Sequence, residues 1–111
     1  PAGEMKHGPL ATVGGGSLCM FLATQESLRD KNISNMKELK ARECKVVAIV
    51  QKGQSFPSDC YDYLIEIPCA TEYISPILSV IPLQLFSMYL AQKKKYNVDR
   101  PRHLAKSVTV E

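Results

Sequence analysis

The sequence has 111 residues, of which 45% are hydrophobic and 23% charged, and its formal net charge is +3. A chain of this size can bury a core, and it fits one domain or part of one. The small net charge does not indicate a nucleic-acid partner, and none is predicted.

The start of the chain predicts a loop and a short helical turn over residues 1–12, and then a turn at glycines 14–16. A phosphate-binding glycine loop follows a strand and opens a helix. Here the order is reversed, because the apolar run Leu18–Ala23 comes after the glycines. That run predicts a fully buried strand.

The middle of the chain alternates helical and strand-like patterns. A helix is predicted up to about Arg42, with Thr24 or Ser27 as its N-cap. Its inner face is marked by Ile33, Met36 and Leu39. Val46–Val50 and Tyr63–Ile67 predict two more strands, the first apolar on both faces as in parallel sheets. This alternation predicts an α/β fold with right-handed crossovers.

Residues 73–92 form the longest apolar run and predict a helix. Pro76 suits its first turn, whereas Pro82 should kink the helix or mark its true start. Because Pro76, Pro82 and Gln84 interrupt the run, it does not predict a membrane span. A helix this apolar should contact a partner subunit as well as its own sheet. One apolar set follows helical spacing and a second covers much of the opposite side: Ile74, Ile77, Leu78, Ile81, Leu85, Met88 and Tyr89, and then Val80, Leu83, Phe86 and Leu90.

Residues 97–111 lack a helical period, and Pro101 prevents the preceding helix from continuing, so they predict an extended C-terminal tail. The stretch is rich in cations: Lys93, Lys94, Lys95, Arg100, Arg102 and Lys106. Their field would attract an anion such as a sugar phosphate. For lysines 93–95 the alternative is a helix end, where cations suit the helix dipole.

The four cysteines lack Cys-x-x-Cys spacing, and no secretory signal precedes them. We therefore expect reduced thiols in a cytoplasmic protein, with two disulfides as the alternative. No metal site is predicted, because neither His7 nor His103 has a cysteine nearby in the sequence.

Three blocks of the chain resemble the isomerising glutamine–fructose-6-phosphate aminotransferases, or glucosamine-6-phosphate synthases. Residues 2–10, Ala-Gly-Glu-Met-Lys-His-Gly-Pro-Leu, resemble that family's Ala-Gly-Glu-Leu-Lys-His-Gly-Pro-Leu. Residues 77–85 resemble its Pro-Leu-Gln-Leu helix, and 97–111 resemble its C-terminus, Asp-Val-Asp-x-Pro-Arg-Asn-Leu-Ala-Lys-Ser-Val-Thr-Val-Glu. Asn97 and His103 depart from the C-terminal motif, and Lys95 replaces a helix-ending glycine.

The resemblance implies a three-layer α/β fold, in which a parallel sheet is flanked by helices as in sugar isomerase (SIS) and flavodoxin-like domains. Residues 1–111 would be the C-terminal portion of the second SIS domain, with 97–111 as its extended tail. The family converts fructose 6-phosphate to glucosamine 6-phosphate with nitrogen from glutamine. It implies a homodimer, a glutaminase domain elsewhere in the full-length chain, and no cofactor.

His7 matches the family's histidine that opens the sugar ring and reaches into the neighbouring subunit's site. An imidazole suits this role because it titrates near neutrality. The alternative is a hydrogen bond within a tight Gly-Pro turn. Glu4 lies three residues earlier, on the same face if the segment is helical. We expect Glu4 to orient the loop, and it is a weaker candidate for substrate binding.

Lys106 matches the family's tail lysine, and together with Ala105 it would contact the open sugar. A lysine amine attacks a carbonyl when desolvation or neighbouring cations lower its pKa. Arg102 is a further, weaker candidate for binding substrate. The alternative is an exposed tail lysine without a role in the site.

The resemblance also shows what the chain lacks. Neither the family's Ser/Thr-rich phosphate loop nor its glutaminase nucleophile has a counterpart, so we expect this chain alone to be incomplete and inactive. Two other functions remain open: a non-catalytic SIS module that binds or senses a sugar phosphate, and a structural segment whose apolar helix serves dimerisation. The divergent middle also leaves room for a paralogue with another sugar phosphate.

Overall fold

A computed structural model describes residues 1–101 of the chain. It contains three strands and two α-helices, together with short 3-10 helices. The strands are β1 (Leu18–Leu22), β2 (Lys45–Gln51) and β3 (Tyr63–Ile67), and the helices are α1 (Arg29–Lys40) and α2 (Ser75–Lys93). A 3-10 helix at Ala2–His7, named the N-terminal turn below, precedes them.

The strands form one parallel sheet in the order β1-β2-β3. Met20 pairs with Val47, and Val47 pairs with Tyr63 on the other side. β2 is central, and its residues 46–50 are all buried. This confirms the predicted α/β fold with a parallel sheet, and it explains the apolar run on both faces of β2.

The prediction that the first strand is fully buried is wrong. Leu18 and Leu22 are 48% and 47% exposed, and only Phe21 of β1 is buried. Within residues 1–101, β1 pairs with β2 alone and lies at the edge of the sheet. An edge strand has a neighbouring strand on one side only, so its apolar side chains are more exposed than those of the central strand β2.

Helix α1 covers the sheet with the face that its spacing predicts. Met36 and Leu39 are buried, and Ile33 is packed against the same core. The predicted caps are wrong, since the helix starts at Arg29 with Leu28 as its N-cap and no side-chain cap. A 3-10 turn at Glu26–Leu28 leads into the helix instead.

Helix α2 is continuous, with Pro76 in its first turn and Pro82 inside, so Pro82 does not mark its start. Its buried residues are Ser75 and Ser79, whereas Ile77 is 62% exposed. Because apolar residues surround this helix, their period did not reveal that small serines make the close contact. Within residues 1–101, no helix has the length and hydropathy needed to cross a membrane.

The residue that ends α2 has the left-handed backbone conformation typical of glycine, even though Lys95 replaces the expected glycine. Lys95 has φ 60°, in the left-handed region. Its N–H donates to the Gln92 carbonyl at 2.8 Å, and the Tyr96 N–H donates to the Ala91 carbonyl at 2.9 Å. These two bonds form a Schellman motif. A lysine here occupies a conformation that costs a side chain about 1–2 kcal/mol.

Candidate functional site

A cleft of about 900 Å³ opens at the carboxyl edge of the sheet. Its walls are the segments that follow the three strands, together with the N-terminal half of α2. In open α/β sheets, ligands bind in crevices at this edge. The cleft is therefore the first place to look for a small-molecule site.

Gln51, at the end of β2, connects the three segments that follow the strands and line the cleft. Its Nε2 donates to the Thr24 carbonyl at 3.0 Å, and its Oε1 accepts from the Ala70 N–H at 2.8 Å. Its own N–H donates to Gln54 Oε1 at 2.8 Å. A neutral carboxamide that satisfies backbone groups in this way fixes loop positions and does not supply acid–base chemistry.

Two carboxylates on the rim of the cleft accept hydrogen bonds from glutamine side chains. Gln25 Nε2 donates to Glu72 Oε1 at 2.7 Å, and Gln54 Nε2 donates to Glu26 Oε2 at 3.0 Å. Among the described lining residues, Lys52 is the cationic side chain. The rim thus presents more negative than positive side chains, which disfavours an anionic ligand.

The start of α2 does not compensate for this charge. Ser75 N–H and Ile74 N–H both donate to the Thr71 carbonyl, at 2.9 and 3.0 Å, and Pro76 has no N–H. A helix start binds phosphate through free N–H groups, and these are already satisfied. The N–H groups of residues 74 and 75 are therefore not free to bind a phosphate.

Asn32 and Ser75, two nearly buried polar residues, also line the cleft, at 8% and 3% exposed. Among residues 1–101, the Ser75 hydroxyl has no hydrogen-bond partner. Sequence reasoning did not identify Asn32, Gln51 or Gln54 as part of a site. The available signal was the position of Gln51 and Gln54 at and just beyond the carboxyl end of the central strand.

The N-terminal turn carries Glu4 and His7, whose side chains meet. His7 Nδ1 lies 2.8 Å from Glu4 Oε2, and the side chains are 73% and 64% exposed. Because a 3-10 helix has about three residues per turn, positions three apart lie above one another. The expectation that the two share one face therefore holds.

A salt-bridge network attaches this turn to α1. Lys6 Nζ lies 3.1 Å from Glu38 Oε1, and Arg42 Nη1 lies 3.1 Å from Glu38 Oε2. Hydrogen bonds from Lys6 and Arg42 hold the pKa of the Glu38 carboxyl below its usual value. The turn ends at Gly8, whose φ of 155° favours glycine.

The structure places the predicted site residues in two groups. Glu4 and His7 lie together on the surface and do not line the cleft, which Pro1 and Ala2 reach from the same end of the chain. Ala105, Lys106 and Arg102 lie outside the described residues. At the start of the tail, Asn97 Oδ1 accepts hydrogen bonds from the backbone of residues 99 and 100.

A second charge cluster is centred on Asp62, whose side chain is only 14% exposed. Its carboxylate contacts Lys40 Nζ at 2.7 Å and Lys45 Nζ at 3.0 Å, and it accepts from the Val46 N–H at 2.8 Å. These partners, led by Lys40, hold the pKa of Asp62 far below its usual range. The cluster joins α1, β2 and the start of β3, so its role is structural.

The four cysteines are free thiols in the structure: Cys44 and Cys60 are buried, Cys19 is half-buried and Cys69 is exposed. Burial raises the pKa of Cys19, Cys44 and Cys60. A raised thiol pKa lowers the thiolate fraction at neutral pH and disfavours a nucleophilic role. Within residues 1–101, no cluster of His, Cys, Asp and Glu side chains has the geometry to hold a metal ion.

Comparison with known proteins gives consistent matches. The model of the SIS domain family matches residues 1–93. The chain is 48% identical over 110 residues to the isomerizing glutamine–fructose-6-phosphate aminotransferase of Clostridium tetani. It is 50% identical over 111 residues to the enzyme of that name from Caldanaerobacter subterraneus. The matches cover 99% and 100% of this chain, which spans 18% of the length of each relative.

A solved structure agrees with these sequence relatives. The C-terminal domain of glucosamine-fructose-6-phosphate aminotransferase from Francisella tularensis superposes with a TM-score of 0.81 at 32% sequence identity. The match covers 90% of this chain and 28% of that one. The fold and sequence therefore agree along nearly the whole chain.

Proposed function

Because the chain belongs to the SIS domain family, we propose that it is the C-terminal portion of the second SIS domain of an isomerising glutamine–fructose-6-phosphate aminotransferase. Residues 1–111 are that portion, and 97–111 are its C-terminal tail. The substrate of this part is fructose 6-phosphate, and the product of the whole enzyme is glucosamine 6-phosphate. The identity to two relatives of that name, 48% and 50%, supports the proposal.

The observation that carries the catalytic part of the proposal is the exposed Glu4–His7 pair. His7 does not line the cleft of its own chain and faces solvent on the N-terminal turn. An imidazole in this position suits a site completed by groups outside residues 1–101. This supports the role in which His7 acts in the site of a neighbouring subunit.

The chemistry of ring opening assigns one proton transfer to His7. The imidazolium gives a proton to the ring oxygen as the bond between that oxygen and the anomeric carbon breaks, and the bonding electrons move to the oxygen. The anomeric hydroxyl releases its proton to water, and its O–H electrons form the carbonyl. The imidazole then takes a proton from solvent and is ready for another cycle.

Residues of the tail complete the proposed site. Lys106 is the amine that engages the carbonyl of the open sugar, and Ala105 contacts the same ligand. Arg102 contributes positive charge near the sugar phosphate. Glu4 acts on His7 and is less suited to contact the sugar. No cofactor is required for these steps.

The same proposal includes assembly and location. The enzyme is a cytoplasmic homodimer with a glutaminase domain elsewhere in its chain, and it binds neither nucleic acid nor membrane. The exposed apolar side of α2 supports a contact between subunits, since large apolar patches on a surface commonly mark interfaces. This side includes Ile77, Ile81, Leu85 and Tyr89.

A chimera tests the catalytic proposal. The C-terminal segment of the Clostridium tetani relative is replaced by this chain, and glucosamine 6-phosphate formation is measured. We expect activity, and we expect His7→Gln to lower kcat by about 10²–10⁴-fold, the usual contribution of a general acid or base. His103→Asn, which restores the family motif, is the matched control and should keep activity. A folded but inactive chimera would favour a non-catalytic sugar-phosphate module.

Binding by the chain alone is a separate measurement. NMR titration with fructose 6-phosphate, with inorganic phosphate as control, reports on His7, Ala105 and Lys106. Shifts at these groups with the sugar phosphate alone would indicate that part of the site persists in the 111-residue chain. If millimolar fructose 6-phosphate causes no shift, the groups that bind it lie mainly outside this chain.

A further inference from the structure

We propose that Glu4 is a positioning residue that holds the His7 imidazole with its proton on Nδ1, so that Nε2 is the atom that exchanges protons with a ligand. This inference deepens the proposed function: the catalytic use of Nε2 rests on that function. The tautomer itself is a property of the free chain and is testable without any sugar.

The hydrogen bond determines which nitrogen carries the proton. His7 Nδ1 lies 2.8 Å from Glu4 Oε2, a distance typical of a charge-assisted hydrogen bond. An ionised carboxylate only accepts, so Nδ1 must be the donor. In a neutral imidazole one nitrogen is protonated and the other is not, so Nε2 carries the free lone pair.

The local backbone maintains the pairing. Glu4 and His7 are stacked one 3-10 turn apart, and the Glu4 N–H donates to the Pro1 carbonyl at 3.0 Å within that turn. Gly8 then redirects the chain. His7 is thus the last residue of a short 3-10 helix, with its ring beside Glu4.

Other charged groups near the turn do not compete for His7. The neighbouring Lys6 forms a salt bridge with Glu38, which lies in α1. Glu38 also forms a salt bridge with Arg42, which lies just beyond the end of α1. Within residues 1–101, Glu4 is the carboxylate that contacts the His7 ring. Because both side chains are largely exposed, their pairing contributes little to stability. Its main consequence is the orientation of the ring.

The direct test is NMR of the 111-residue chain with ¹⁵N-labelled histidine, recorded at alkaline pH so that the imidazole is neutral. The His7 signals are assigned by their loss in His7→Gln. We expect Nδ1 to be the protonated nitrogen and Nε2 to show the shift of an unprotonated one. Glu4→Ala should move the population toward the Nε2–H form. Glu38→Gln removes a nearby carboxylate that does not touch His7, and it should leave the tautomer unchanged.

Two results would overturn the proposal: an Nε2–H tautomer in the unmodified chain, or an unchanged tautomer in Glu4→Ala. In the active chimera, Glu4→Ala should lower kcat by about 10-fold or more while KM changes little, because the acid–base atom is misplaced but the sugar contacts remain. The combined Glu4→Ala/His7→Gln variant should be no slower than His7→Gln alone. If the chimera is inactive but the tautomer responds to Glu4, only the proposed function fails.

Discussion

Gln51 and Ala70 are joined by a 2.8 Å hydrogen bond from the Ala70 N–H to the Gln51 side-chain oxygen. This bond links the end of the central strand to the segment that leads into α2. The other end of the same carboxamide donates to the Thr24 carbonyl. One side chain therefore sets the spacing of the three segments that follow the strands, without any reactive group of its own.

Replacing Gln51 by Ala should lower the free energy of unfolding by about 1–3 kcal/mol, because the Thr24 carbonyl and the Ala70 N–H lose their partner in a partly buried place. The measurement is urea denaturation followed by circular dichroism. Gln25→Ala, which removes an exposed amide on the rim, is the matched control and should change stability by less than about 0.5 kcal/mol. Equal effects of the two variants would contradict the connecting role of Gln51.

Asp62 should make stability depend on pH in the acid range. Its pKa is depressed in the folded chain, so its contribution is fully present above the unfolded value, about 3.9. The contribution is lost progressively as the pH falls below that value toward the folded pKa. Urea denaturation at several pH values should therefore show a steeper acid loss for the unmodified chain than for Asp62→Asn.

The control for this series is Asp30→Asn, which removes a carboxylate whose side chain is 94% exposed. We expect its stability to follow the unmodified chain across the same pH range. If Asp62→Asn and Asp30→Asn give parallel curves, the cluster around Asp62 does not govern acid stability.

Gly8 allows the chain to turn directly after His7, with φ at 155° and nothing within 4 Å of an added Cβ. Gly8→Ala should therefore cost on the order of 1–3 kcal/mol through backbone strain rather than through a clash. Gly3→Ala lies in the same turn, without a positive φ and with the same open space, and should be nearly neutral. A difference in unfolding free energy between the two variants is the expected result. Equal stabilities would show that the turn tolerates a side chain at position 8.

Lys95 offers a stabilising substitution. It occupies the left-handed position after α2, so Lys95→Gly should remove the side-chain strain and raise the free energy of unfolding by about 1 kcal/mol. Thermal and urea denaturation give the measurement. Lys94→Gly is the control, because Lys94 has a negative φ of -82° and gains nothing from glycine. A loss of stability in Lys95→Gly would mean that the lysine side chain contributes more than its strain costs.

The apolar side of α2 should govern self-association. If two copies meet through it, Ile77→Glu should weaken the dimer by at least 10-fold, because a charge would be buried at the interface. Analytical ultracentrifugation measures the change. Tyr73→Glu lies just before the helix at 90% exposed and should leave association unchanged. Unaltered association in Ile77→Glu would place the subunit contact elsewhere.

Local patterns in the sequence determined the elements of the fold. The residues of β2 are apolar on both faces, which is typical of a strand in a parallel sheet that is covered on both sides. The spacing of Met36 and Leu39 identified the inner face of α1. The three-residue separation of Glu4 and His7 placed them on one face once the segment was helical. Each of these inferences depends on neighbours within a few residues, where the backbone period controls the outcome.

Tertiary structure alone decided which surfaces and partners these elements use. In α2, apolar residues surround the helix, so the period could not indicate that Ser75 and Ser79 make the close contact. The start of α1 depended on a preceding 3-10 turn rather than on a capping side chain. Gln51 acquired its role only because parallel strands bring residues 24, 51 and 70 to one edge of the sheet. Such contacts join positions distant in sequence, and only packing determines them.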